Sequence, residues 1–237
     1  MIDITPNTIV GDIVRARPEM GRVFQSMKID FCCGGKKSLA EACAARGLDA
    51  ASVATALSAL LQAPQQTRGL VNTTGMTSAA LVQHIVARHH DYLREELPRL
   101  AMIVRKVAAK HGGDHPRYVE LAQVFLDFAS EMFDHMEIEE RTAFPLMIEL
   151  EQRGDVPEEA LRVALLEEQH EAAGKALARM RELTNDFTTT EDECNGRRAL
   201  MASLAQLEAD THEHVHLENN VLFDRARAAL AKAAAAN

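Results

Sequence analysis

The chain has 237 residues, which is enough for one large domain or for two smaller ones. Its net charge of −9 argues against non-specific nucleic-acid binding, which needs a basic surface. Aromatic residues make up only 4%, and long runs of Ala, Leu, Glu and Arg favour helix and argue against a sandwich or barrel. No apolar run approaches the roughly 20 residues that span a bilayer, and no secretory signal opens the sequence, so we expect a cytoplasmic protein with no membrane contact.

Residues 1–62 are predicted to form a small helical domain. Short helices are expected at about 8–15, 18–27 and 49–61. Another helix should begin at Ser38, because Glu41 three residues later completes a capping box. The polar segment 63–76, with one Pro and two Gly, is predicted to be a linker.

Residues 77–237 show helical periodicity in four long segments. The expected helices cover about 78–110, 116–152, 157–183 and 193–233, and Pro98 predicts a kink or local break in the first. Short connections between long helices favour antiparallel neighbours. The predicted fold is therefore all-α: an up-down antiparallel four-helix bundle preceded by the small helical N-terminal domain.

Two copies of one pattern lie in the predicted bundle. His135 and Glu139 are four residues apart, as are His214 and Glu218, and this spacing puts both side chains on one helix face. The helix before each pair carries a His followed by an acid, His90 in one half and His170 in the other. Each half is therefore predicted to be a helical hairpin, and pairing the hairpins would bring six ligands into one core.

Four imidazoles and two carboxylates exceed the four ligands that one zinc takes. They suit two six-coordinate irons, which offer about twelve positions. The four His would fill four coordination positions. Glu139 and Glu218 would fill four more if each bridges both irons, and an oxo or hydroxo bridge would fill two. About two positions would remain for O₂ or NO. The other histidines are expected to be non-ligands: His84, His89, His111, His115, and the pair His212 and His216, which is predicted to be a solvated surface pair.

Adjacent Cys32 and Cys33 precede Gly34 and Gly35 in a predicted loop. Neighbouring cysteines cannot easily form an unstrained disulfide with each other, and the pattern of four cysteines is not that of a disulfide framework. Two lysines, at 36 and 37, are expected to lower the thiol pKa and favour metal or NO chemistry. The alternative is that both are small buried residues of a tight turn. Cys43 is predicted to be a core thiol and Cys194 a loop thiol.

The combination of these motifs resembles the iron–sulfur cluster repair di-iron (RIC) family. The His–Asp, His–Glu and two His-x-x-x-Glu motifs are similar to the hemerythrin-like HHE domain, and the segment DFCCGGKKSLAEAC resembles the N-terminal domain of that family. The resemblance implies a non-haem di-iron centre held by these ligands: His90, His135, Glu139, His170, His214 and Glu218. It also implies a transient iron, nitrosyl or docking role for Cys32 and Cys33.

Repair of iron–sulfur clusters damaged by nitrosative or oxidative stress, by donation of iron, is the function that this resemblance implies. Damaged iron–sulfur proteins would then be the partners. Three alternatives stay open: a protein that binds NO or reduces it enzymatically, an O₂ carrier or sensor, and a structural bundle with adventitious zinc. A monomer and a homodimer are both compatible with the sequence.

Overall fold

The structure, a computed structural model, describes residues 2–62, 71–153, 156–157, 161–190 and 194–236. Over these residues regular structure is helical, apart from one antiparallel bridge between Ile9 and Ser38, so the predicted all-α class is confirmed. None of the described helices has the length and apolar character to cross a membrane. The chain divides into two compact units, one of Met1–Leu81 with His212–Asn237 and one of Val82–Thr211. Residues 63–70 of the predicted linker lie outside the described residues.

Four short helices form the N-terminal part of the first unit. They are α1 (Val10–Ala16), α2 (Met20–Ser26), α3 (Leu39–Ala44) and α4 (Ala50–Gln62). The predicted capping box starts α3: the amide of Glu41 donates to Ser38 Oγ at 3.3 Å, and the amide of Ser38 donates to Glu41 Oε2 at 2.8 Å. The helices pack around one apolar core, whose fully buried members include Ile13, Phe24, Leu39 and Leu57.

Among the described residues after 62, seven α-helices follow: α5 (Ser78–Ile85), α6 (Asp91–His111), α7 (Arg117–Ile138), α8 (Phe144–Arg153), α9 (Val163–Leu183), α10 (Asn195–Leu217) and α11 (Phe223–Ala236). Single π-helical turns join α5 to α6, α7 to α8, and α10 to α11; they cover Val86–His90, Glu139–Ala143 and Glu218–Leu222. Three of the four predicted long helices are therefore continuous except for one wider turn.

The structure corrects two details of the predicted helices. A kink or a local break was predicted at Pro98, and the break is not there, since α6 runs through this residue and the irregular turn lies earlier, at Val86–His90. Proline removes only one N–H from the hydrogen-bond ladder, and α6 tolerates that loss. The helix expected from 157 begins instead at Val163, because Arg162 has a left-handed φ of 55°, which an α-helix does not continue through.

The second unit is built around one core shared by four helices. The apolar faces of α6, α7, α9 and α10 supply it, and its fully or almost fully buried members include Leu97, Leu100, Phe125, Phe128, Met180 and Leu204. The short connection between α6 and α7 makes these two helices antiparallel neighbours. The predicted four-helix bundle is confirmed.

Candidate metal centre

Three of the six predicted ligands lie in the π-helical turns. His90 ends the first turn, Glu139 opens the second and Glu218 opens the third. A π turn admits one extra residue into the helix and occurs often at functional sites, because it re-aims the side chains around it. The sequence pattern alone gave no sign of these turns.

Within the second unit, one oxygen of Glu139 lies between two imidazoles. Glu139 Oε2 is 3.4 Å from His90 Nε2 and 3.2 Å from His135 Nε2. His170 joins the same group, with its Nε2 at 3.0 Å from His135 Nε2. All four side chains are at most 2% exposed. The structure thus brings together the four predicted ligands of this unit around one buried carboxylate.

The spacing of these atoms suits ligands of one cation. With metal–nitrogen bonds of about 2.1 Å, adjacent ligands are about 3.0 Å apart at right angles and about 3.4 Å apart at tetrahedral angles. The distances of 3.0 Å for His135–His170, 3.2 Å for His135–Glu139 and 3.4 Å for His90–Glu139 span this range. A set of buried imidazoles and a carboxylate is also a donor set that suits iron.

The outward ring nitrogens of two predicted ligands, His90 and His135, each have an acceptor. His90 Nδ1 lies 2.6 Å from Glu140 Oε1, and Arg94 binds the same oxygen. Since an ionised carboxylate can only accept, His90 Nδ1 carries the proton and its Nε2 offers a lone pair to the centre. His135 Nδ1 is placed in the same way, 2.9 Å from Gln169 Oε1.

Sequence reasoning missed Glu140 and Gln169. A signal was available, because each directly neighbours a predicted ligand, Glu139 and His170 respectively. Adjacent residues on a helix point about 100° apart, however, so only the packing of one helix against another shows which imidazole each one meets.

The remaining two predicted ligands lie in the first unit. His214 and Glu218 are fully buried, and His214 Nε2 lies 2.8 Å from Glu218 Oε1. The i, i+4 pairing predicted from the sequence therefore exists, with the imidazole aimed at the carboxylate. Burial of both groups side by side is the arrangement expected of metal ligands, since a buried carboxylate needs a compensating charge.

The prediction that His212 and His216 form a solvated surface pair is wrong for His216. This ring is buried, its Nδ1 lies 3.3 Å from the carbonyl oxygen of Phe31, and burial lowers the pKa of His216 to about 4. His212 is half buried, with its ring edge-on to Phe31. The N-terminal segment of the first unit covers this helix face, which helical periodicity cannot reveal. His89, a predicted non-ligand, is buried with its Nδ1 3.1 Å from Asp210 Oδ1.

Cys32 and Cys33 lie in the loop between α2 and α3, and none of the four cysteines is in a disulfide. The predicted lowering of the thiol pKa is wrong for Cys32. The neighbouring Cys33 thiol, burial, and the Asp30 carboxylate raise the pKa of Cys32 well above its usual value, while Lys36 is exposed to solvent. Cys43 is fully buried as predicted, and burial raises its pKa.

Comparison with known proteins gives matches to both parts of the chain. Residues 81–226 match the hemerythrin HHE cation binding domain, and residues 6–61 match ScdA_N, a domain of unknown function. The iron–sulfur cluster repair protein ScdA of Staphylococcus haemolyticus is 35% identical over 222 residues, covering 94% of this chain and 99% of that protein. The iron–sulfur cluster repair protein YtfE of Yersinia pseudotuberculosis is 34% identical over 225 residues, covering 93% and 96%.

These matches run through both the ligand-bearing helices and the cysteine loop. A cation-binding domain family is the assignment expected for the buried imidazole and carboxylate groups described above. The chain therefore belongs to the family of ScdA- and YtfE-like iron–sulfur cluster repair proteins, in which an ScdA_N domain precedes a hemerythrin HHE domain.

Proposed function

We propose that this protein repairs iron–sulfur clusters damaged by nitrosative or oxidative stress, and that it does so by donating iron. The observation that carries the proposal is the shared oxygen of Glu139, which faces the Nε2 atoms of both His90 and His135. A carboxylate placed between two imidazoles can bridge two cations. The names of the relatives, iron–sulfur cluster repair proteins, support the choice of damaged clusters as the target.

We propose six ligands for two irons: His90, His135, Glu139, His170, His214 and Glu218. Bound there, the pair of irons would supply both the metal given to a damaged cluster and open positions for a small diatomic molecule. Support for a single centre comes from the repeated hairpin pattern in the sequence, which assigns one His and one His-x-x-x-Glu pair to each half.

The protein's own residues would set how readily iron leaves. Glu140 and Gln169 hold protons on the outward nitrogens of His90 and His135, which keeps the inward Nε2 atoms free to bind a cation. Every ligand is neutral imidazole or carboxylate, with no thiolate among them. Imidazole ligands suit iron. The cysteine pair, Cys32 and Cys33, is proposed to take part in thiol or iron transfer.

The test uses a hydratase whose [4Fe–4S] cluster has been damaged by NO. Iron-loaded protein should restore its activity beyond the recovery given by an equal amount of free Fe²⁺. The variant His135→Ala should lose this effect, whereas the matched control His111→Ala, which removes a histidine beside Tyr118 and away from the Glu139 group, should keep it. Recovery no better than with free Fe²⁺ would contradict iron donation.

A further inference from the structure

A second group of metal-binding atoms lies in the first unit, on the loop that follows α2. Asp30, Cys32 and Cys33 each offer one atom, and these three atoms all lie within 4.8 Å of one another. Asp30 Oδ1 accepts from the amide of Cys32 at 3.0 Å and lies 3.2 Å from Cys32 Sγ. The two sulfur atoms are 3.9 Å apart. The loop therefore points one carboxylate oxygen and two thiols at a common space.

The distances match those of a tetrahedral thiolate site. With metal–sulfur bonds of about 2.3 Å and metal–oxygen bonds of about 2.0 Å, two sulfurs on one tetrahedral ion lie about 3.8 Å apart, and sulfur and oxygen about 3.5 Å apart. The structure gives 3.9 Å between the sulfurs and 3.2 Å between Cys32 Sγ and the Asp30 oxygen. Little movement separates the loop from a bound geometry.

The backbone around the cysteines is fixed by two glycines and an asparagine. Asn220, on the π turn after α10, donates from Nδ2 to the carbonyl oxygen of Cys32 at 3.0 Å. A Cβ on Gly35 would collide with the Asn220 side chain and lie 2.7 Å from the carbonyl oxygen of Phe31. A Cβ on Gly34 would lie 3.1 Å from the Asp30 carboxylate. Both glycines therefore leave room that this loop conformation needs.

We propose that Asp30, Cys32 and Cys33 form a mononuclear site for a thiolate-binding divalent cation such as Fe²⁺ or Zn²⁺. Soft sulfur donors with one carboxylate select such ions over Mg²⁺ or Ca²⁺. Cys32 is buried, Cys33 half buried and Asp30 exposed, so an ion enters from the Asp30 side, where water or a donor from a partner completes the fourth position. Two metal–sulfur bonds form, and the two thiol protons pass to solvent.

This site deepens the role proposed above for the cysteine pair, but its evidence comes from the loop alone, so its test can fail while cluster repair stands. Asp30 is the residue that sequence analysis did not assign. Its carboxylate holds the amide and the sulfur of Cys32 at once, so it sets the direction of that sulfur as well as adding a ligand.

Cobalt(II) is the probe, added to the reduced full-length protein without oxygen. Wild-type protein should show the intense near-ultraviolet absorption of thiolate bound to Co²⁺, which the imidazole and carboxylate ligands of the other site cannot produce. The variants Cys32→Ser and Cys33→Ser should lose it, and Asp30→Asn should bind Co²⁺ more weakly with altered visible bands. The matched control Cys194→Ser removes a half-buried thiol elsewhere and should leave the spectrum unchanged.

Two results would overturn the proposal. One is a wild-type spectrum without thiolate absorption, and the other is the same absorption in Cys32→Ser or Cys33→Ser. An Asp30→Asn protein that binds Co²⁺ as wild type does would remove Asp30 from the site. Circular dichroism checks that each variant is folded. A second test of the site needs no variants. Zn²⁺ should slow the alkylation of Cys33 in wild-type protein, and an unchanged alkylation rate would also contradict the site.

Discussion

Replacement of Glu140 by Ala should weaken iron binding although Glu140 is not one of the proposed ligands. Its carboxylate accepts a hydrogen bond from the protonated Nδ1 of His90 at 2.6 Å, and the His90 ring is fully buried. Without this acceptor, the ring can adopt the tautomer that turns an N–H toward the metal, and its Nδ1 loses its carboxylate partner. Loss of such a supporting acceptor costs 10- to 100-fold in metal affinity, or about 1.4 to 2.7 kcal/mol.

The assay is the competition of iron-loaded protein with a ferrous chelator, read as iron retained per chain. Glu140→Gln keeps an acceptor but loses its charge, so its affinity should fall between those of wild type and Glu140→Ala. Glu137→Ala is the matched control: this residue lies at the end of α7, three residues before Glu140, and forms an exposed ion pair with Arg141, a kind of contact that contributes little. The reasoning is refuted if Glu140→Ala retains iron as Glu137→Ala does.

Three further predictions concern stability. Gly35→Ala should lower the free energy of unfolding by about 1–3 kcal/mol, because the new Cβ would lie 2.7 Å from a backbone oxygen. The control Gly113→Ala places its Cβ in open space and should change the free energy of unfolding by less than about 0.5 kcal/mol. Equal melting temperatures of the two variants would contradict the close approach at Gly35. Phe125→Ala should cost about 3–5 kcal/mol in urea unfolding, and a loss below about 1 kcal/mol would contradict its full burial in the bundle core. Ser38→Ala tests the capping box through pH. Hydrogen bonds from Ser38 lower the pKa of Glu41 below its usual 4.5, so the stabilisation is present above pH 4.5 and is lost as the pH falls through the lowered pKa. The stability difference between wild type and Ser38→Ala should therefore shrink in acid, and a constant difference would refute this cause.

The helical class, the bundle and the His-x-x-x-Glu pairs could be predicted because each depends on local periodicity. Residues four apart share a helix face whatever packs on that face. The pairing of His135 with Glu139 and of His214 with Glu218 is of this kind, and the structure has both. The capping box at Ser38 is equally local, since its partners are three residues apart.

Contacts between distant segments could not be predicted in the same way. His216 illustrates the limit: its spacing from His212 suggested a solvated face, but Phe31, 185 residues earlier, contacts its ring. Cys32 is similar, because neighbouring lysines in the sequence suggested a low pKa, while the contact with Cys33, burial and the contact with Asp30 raise its pKa. Both errors arise because the groups that cover and contact a side chain are set by the tertiary structure.

The sequence by itself determined the number of helices in the bundle and the order of its histidines and His-x-x-x-Glu pairs along the chain. Composition, residue spacing and helix caps act within a few turns of one segment, so predictions based on them do not need the fold. Only the tertiary structure decided that Glu139 is shared by His90 and His135, that Glu140 and Gln169 orient the imidazoles, and that Asp30 joins the cysteine pair. These arrangements depend on π turns, on helix packing and on loop conformation, and each of them follows from which surfaces meet when the chain buries its apolar residues.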